Sequence, residues 1–118
     1  MAADNGLLLG WNRVARGKED KVMALFGESL AFWGQLQQAG VIDSFEPVLL
    51  LPHGGDLNGF ILVRGDADKL DQVMASDAYL AIDTKANYYL EGYGAIRAFF
   101  GEEITRRFGA YQKTITEG

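Results

Sequence analysis

The chain has 118 residues, 48% hydrophobic and 23% charged, with a net charge of −5 and no cysteine. That composition is globular rather than disordered, long enough to bury about two-thirds of the surface an unfolded chain exposes, and it excludes disulfides and thiolate metal sites. The acidic balance argues against nucleic acid, which needs clustered Lys and Arg to displace counterions; no run approaches the ~18–20 apolar residues that span a bilayer, and Met1–Asn5 lacks the basic region of a secretion signal, so a cytoplasmic location is expected.

Gly6 to Ala15 (GLLLGWNRVA) reads as a first strand, broken by Arg16-Gly17. From Lys18 the period becomes helical: Val22, Leu25, Phe26, Ser29, Leu30, Trp33 and Leu36 fall on one stripe, and Gly40 ends the helix. Val41 to Leu51 is a second strand, in which Pro47 predicts an edge position or a bulge. Pro52-His53-Gly54-Gly55-Asp56 carries hairpin chemistry, and Leu57 to Arg64 is the third strand. Ala67 to about Tyr89 is helical in two pieces, with Ser76-Asp77 as a fresh N-cap or a kink; Leu80, Lys85, Tyr88 and Tyr89 are the expected set of the second piece. Glu91 to Phe100 is a fourth strand, and Glu102 to Thr116 a last amphipathic helix striped by Ile104, Phe108, Tyr111 and Ile115.

This order, strand–helix–strand–strand–helix–strand with an added helix, is the split βαβ, ferredoxin-like pattern. The expectation is one α+β domain over 1–118, with its core at 6–101, a four-stranded antiparallel sheet and the helices on one face. The hairpin VLLLPHGGDLNGFILV (Val48–Val63) is apolar on both parities, so both faces of its strands need covering. Helices cover one face. The other, with candidates Trp11, Phe60 or Ile61, Leu62 or Val63 and Phe99, is too apolar to be left in water, which predicts a second copy of the chain as partner. The C-terminal helix then packs on its own sheet edge or swaps across the dimer.

The element order, the long glycine-bearing first helix and the break MASDAYLA (Met74–Ala81) resemble the dimeric α/β-barrel superfamily, over about Gly6 to Gly101. The resemblance implies ferredoxin-like protomers packed sheet to sheet. It also implies a range of chemistries: cofactor-free monooxygenases of the antibiotic-biosynthesis type, haem-binding members, small isomerases and uncharacterised proteins.

His53, the only histidine, is the candidate general base, with Asp56 or Asp43 to orient it; the alternative is a plain turn residue. No metal is expected, because one histidine without cysteine leaves no recognised ligand spacing, and no cofactor motif is present. Alternation puts Trp11 with Arg13, Leu62 with Arg64, and Tyr93 with Arg97 on shared strand faces. Three arginines could thus converge on the open face, either paired with Glu46 in an interface network or lining a pocket for an anionic or enolic molecule. Tyr79, Tyr88, Tyr89 and Tyr93 are candidate pocket wall. Trp11 and Asn12 invite comparison with the monooxygenases, but as neighbours on a regular strand they point to opposite faces.

The leading expectation is a dimer binding a small apolar or anionic molecule between sheet and helices, with Trp11, Arg13, His53, Arg64, Tyr93 and Arg97 as lining and at least two arginines turned inward. A ligand-free structural or regulatory dimer is the second reading, and a cofactor-free monooxygenase or isomerase the third.

Overall fold

The structure, a computed structural model, describes residues 4–117. Strand β1 (Asn5–Trp11) is followed by a two-residue β2 (Arg13–Val14), helix α1 (Glu19–Gln38), β3 (Ser44–Leu49), β4 (Gly59–Gly65), α2 (Ala67–Met74), α3 (Asp77–Tyr89), a two-residue β5 (Leu90–Glu91), β6 (Gly94–Phe99) and α4 (Gly101–Glu117). The four longer strands form one antiparallel sheet in the order β3-β4-β1-β6. This is the ferredoxin-like arrangement that the element order predicts. Pro47 lies on the edge strand β3, where a missing N–H removes no interior ladder bond.

Local signals set the helix boundaries. Asp66 caps α2 by accepting from Lys69 N at 3.2 Å, and Ser76 caps α3 by accepting from Tyr79 N at 3.2 Å. The restart at Ser76 resets the helical phase. α3 therefore buries Tyr79, Ile82 and Ala86, while Leu80 and Tyr88 of the expected set are exposed. Lys85 is on the outer side too, paired with Glu28 of α1 at 3.0 Å.

Register assigns every strand residue to a face. Leu7 and Leu9 of β1, Ile61 and Val63 of β4 and Phe45 of β3 pack under the helices with Trp33, Leu70 and Tyr79. The opposite face carries Leu8, Phe60, Leu62, Val48, Ile96 and Ala98, none of them fully buried and Ile96 60% exposed. Phe100 folds onto this face, where a Cβ on Gly6 would strike both its ring and the carbonyl oxygen of Val63. Among the described residues no helix covers this side.

Three side chains expected on the open face lie on the helix-facing side. Trp11 and Phe99 share the helix-facing side with Leu7 and Leu9, as the pairs Trp11↔Gly59 and Asn5↔Phe99 fix. Arg97, opposite Leu7, is on that side as well. The first strand also ends earlier than expected: a bend at Asn12 separates β1 from β2, so Arg13 belongs to a separate ribbon paired with Glu91.

α4 has no buried residue. Its stripe of Ile104, Phe108, Tyr111 and Ile115 faces solvent, and Arg107 is stacked 3.6 Å over the ring of Phe99. It does not pack along the sheet edge. Among the described residues no helix is long and apolar enough to cross a membrane.

Candidate functional site

The sheet and helices do not close completely. Between them lies a cavity of about 320 Å³, walled by Leu9, Trp11 and Ile61 of the sheet, Phe26 and Trp33 of α1, and Ile82 of α3, with Arg13 and Val14 at its margin. The lining is almost wholly apolar. Trp11 stacks edge-on against Phe26, ring centroids 6.4 Å apart, and Trp33 does the same with Tyr79 at 6.2 Å. These rigid rings hold the walls apart. Ser29, a polar residue facing the cavity, is satisfied internally: its hydroxyl donates to Leu25 O at 2.8 Å.

Two further residues of the wall, Tyr79 and Tyr93, carry hydroxyls. Tyr79 is 5% exposed, and its buried hydroxyl has no hydrogen-bond partner. Leaving such a group unbonded costs about 1–3 kcal/mol. Burial, then the Asp83 carboxylate, pushes its pKa up to about 12, and Tyr93 is raised further, first by burial and then by Tyr79 and Asp83. Both phenols are neutral O–H groups across ordinary pH.

The sequence-derived site residues separate into three places. Trp11 and Tyr93 are in the cavity wall. Arg13 is at the rim with its side chain 72% exposed, its Nε donating to Glu91 at 3.0 Å. Arg64 is on the uncovered sheet face, its guanidinium 3.8 Å over the ring of Phe100 and opposite Ser44 rather than Glu46. Arg97 bonds Asp71 of α2 and Asn5. The expected convergence of three arginines does not occur, because Arg64 and Arg97 have opposite strand parity and Arg13 lies beyond the sheet.

His53 is exposed in the loop between β3 and β4, with Nδ1 3.0 Å from Leu51 O and no hydrogen bond to Asp43 or Asp56 among the described residues. It is not part of the cavity wall. Asn12 turns from the cavity to accept from Asn58 Nδ2 at 2.8 Å, so only Trp11 of the Trp-Asn pair faces it. Tyr88 and Tyr89 stack on each other at 5.6 Å, away from the wall. Among the described residues no cluster of His, Asp and Glu is placed to hold a metal.

Asp83 was not singled out by sequence. The available signal is its spacing, four residues after Tyr79 on one helix, which puts the two side chains on one face.

No family model matches this chain, and no curated protein matches it. Among solved structures it is similar to a dimeric protein of unknown function and ferredoxin-like fold from Bacteroides fragilis NCTC 9343, with a TM-score of 0.59 and 13% identity over 81% of this chain and 95% of that one. The chain therefore has the ferredoxin-like fold. At that identity the likeness carries the architecture alone.

Proposed function

We propose that the protein binds a small, mainly apolar organic molecule in the cavity between sheet and helices, as a homodimer paired through the uncovered sheet face. The observation that carries the binding reading is the cavity itself: about 320 Å³, lined by apolar side chains and framed by edge-on aromatic rings. Apolar concavities with a few convergent polar groups are the usual form of small-molecule sites. The separation of the arginines removes the basis for an anionic ligand.

Pairing through the sheet is supported by the uncovered apolar face of Leu8, Phe60, Leu62 and Ile96, a patch that soluble monomers rarely expose. The similar solved protein is itself described as dimeric. The exposed stripe of α4 extends the apolar surface available to a partner.

The test is binding of the neutral dye Nile red to wild type and to Val22→Trp. Val22 is half-buried in the wall, so an indole there fills the cavity from its rim. The expected result is one dye per chain for wild type and none for a folded Val22→Trp. Equal binding by both would place the dye on the sheet face and end the cavity reading.

A ligand-free structural dimer is favoured by one observation: Arg13 and Arg97 are already paired, with Glu91 and Asp71, and ask for no ligand. Native mass spectrometry of the purified protein separates the two readings, since a scaffold carries no copurified molecule. The monooxygenase or isomerase reading has its base, His53, off the cavity wall.

A further inference from the structure

The apolar stripe of α4 is not used by its own chain. Ile104, Phe108, Tyr111 and Ile115 are all exposed, and none of the helix's described residues is buried. The radius of gyration, 16.0 Å, exceeds the ~13.5 Å of a compact chain of this length, as a helix standing off the body requires.

The spacing of the stripe shows what kind of surface it fits. Its steps of four, three and four residues follow the period of a coiled-coil seam, narrower than the face a helix turns to a sheet. The stripe also reads the same from either end: isoleucine, aromatic, aromatic, isoleucine. A second α4 running antiparallel therefore meets it layer by layer, Ile104 of one copy against Ile115 of the other and Phe108 against Tyr111. Each contact then occurs twice about a twofold axis, the condition for a self-complementary interface. The positions flanking such a seam are Thr105, Arg107, Gln112 and Thr114, so Arg107 is the only charge beside it and faces Thr114 across it. Glu103 is occupied within its own helix by Arg106 and Arg107. Two copies of this surface meet without opposing like charges.

The seam is continuous with the uncovered sheet face. α4 begins at Gly101, directly after Phe100, whose ring lies on that face beside Gly6 and under Arg64. The helix thus leaves the chain at the border of the surface that receives the second copy. Two heptads fall short of the three or four that mark a free-standing coiled coil. The sheet pairing supplies what is missing, because it holds the second α4 at high effective concentration.

Resting on the sheet-paired dimer, we propose that its two α4 helices pair antiparallel through Ile104, Phe108, Tyr111 and Ile115 and clasp the protomers together.

Sedimentation velocity and circular dichroism of the full chain, with Phe108→Glu and Phe108→Leu, test this. Phe108→Glu should weaken the dimer about tenfold or more, as loss of a central aromatic anchor does, and lower the ellipticity at 222 nm; Phe108→Leu should change neither. Spin labels on Thr116→Cys, then the sole cysteine, read the direction. Antiparallel helices hold the two label sites about 20 Å apart along the axis, at 1.5 Å per residue, and parallel helices hold them side by side. A Phe108→Glu dimer as tight as wild type overturns the clasp and leaves the sheet pairing standing. So does a fall in ellipticity with unchanged dimer affinity, which would return α4 to its own chain, and so do labels side by side. A wild type that is monomeric at every concentration overturns clasp and sheet pairing together.

Discussion

Arg97 on β6 and Asp71 on α2 are bonded across the end of the sheet, Nη1 to Oδ1 at 2.5 Å, and Asn5 Oδ1 takes a second bond from Nη2 at 3.2 Å. The arginine ties α2 to the edge strand β6 and to its neighbour β1. Its Nε is buried without a partner. Arg97→Ala should lower stability in urea by about 1–3 kcal/mol, whereas Asp71→Asn, at the exposed end of the pair, should cost less than about 1 kcal/mol. Neither should change Nile red affinity, because neither residue is in the cavity wall.

Gly59 sits under the indole of Trp11, where a Cβ would lie 2.5 Å from Cζ2. Gly59→Ala should destabilise by about 1–3 kcal/mol through overpacking and weaken dye binding, since the displaced indole moves into the cavity. Pairing it with Trp11→Phe should recover part of the thermal stability, a non-additivity that independent sites would not give.

High pH should unfold the protein through its buried phenols. Unfolded Tyr79 ionises near pH 10, and in the folded chain it does so at about 12. Below pH 10 both states hold the proton and the stabilisation is fully present. Between those values the unfolded state loses its proton first, so stability falls by about 1.4 kcal/mol per pH unit for this group. Tyr93 acts in the same direction. Urea midpoints measured from pH 8 to 12 should drop more steeply for wild type than for the Tyr79→Phe, Tyr93→Phe double variant.

Charge placed on the uncovered face should separate the protomers. Leu62, half-buried, and Ile96, exposed, lie on the face that no described helix covers, so Leu62→Lys and Ile96→Lys should each leave the far-ultraviolet spectrum intact. Sedimentation velocity at micromolar concentration should show a dimer for wild type and monomer for either variant. A monomeric wild type would remove the pairing.

His53→Ala should be neutral, within about 0.5 kcal/mol of wild type as for most exposed positions, and should bind Nile red equally. A change in dye affinity would show that the hairpin loop reaches the cavity after all.

The element order was legible because it depends on local signals. Pro47 pointed to an edge strand, Ser76 to a helix cap, and the spacing of Leu25, Ser29 and Trp33 to the face of α1 that is buried. The cavity was legible only in part. Strand faces were lost where both parities are mixed, as in GAIRAF (Gly94–Phe99), where the charged Arg97 is under the helices with its two Nη atoms bonded to Asp71 and Asn5. Arg13 was misplaced because the bend at Asn12 leaves no mark that distinguishes it from a continuing strand. Asp83 gains significance only when the chain brings Tyr93 back beside α3, a long-range event that helical spacing does not encode.

α4 is 17 residues long and buries none of them. A peptide of that length in water is at the margin of holding its helix at all, even with Arg106 and Arg107 both pairing with Glu103. Its helicity is thus conditional on what surrounds it. In a circular dichroism dilution series, the ellipticity at 222 nm would act as a gauge of company, fading as the molecules are drawn apart while the sheet's own signal stays put.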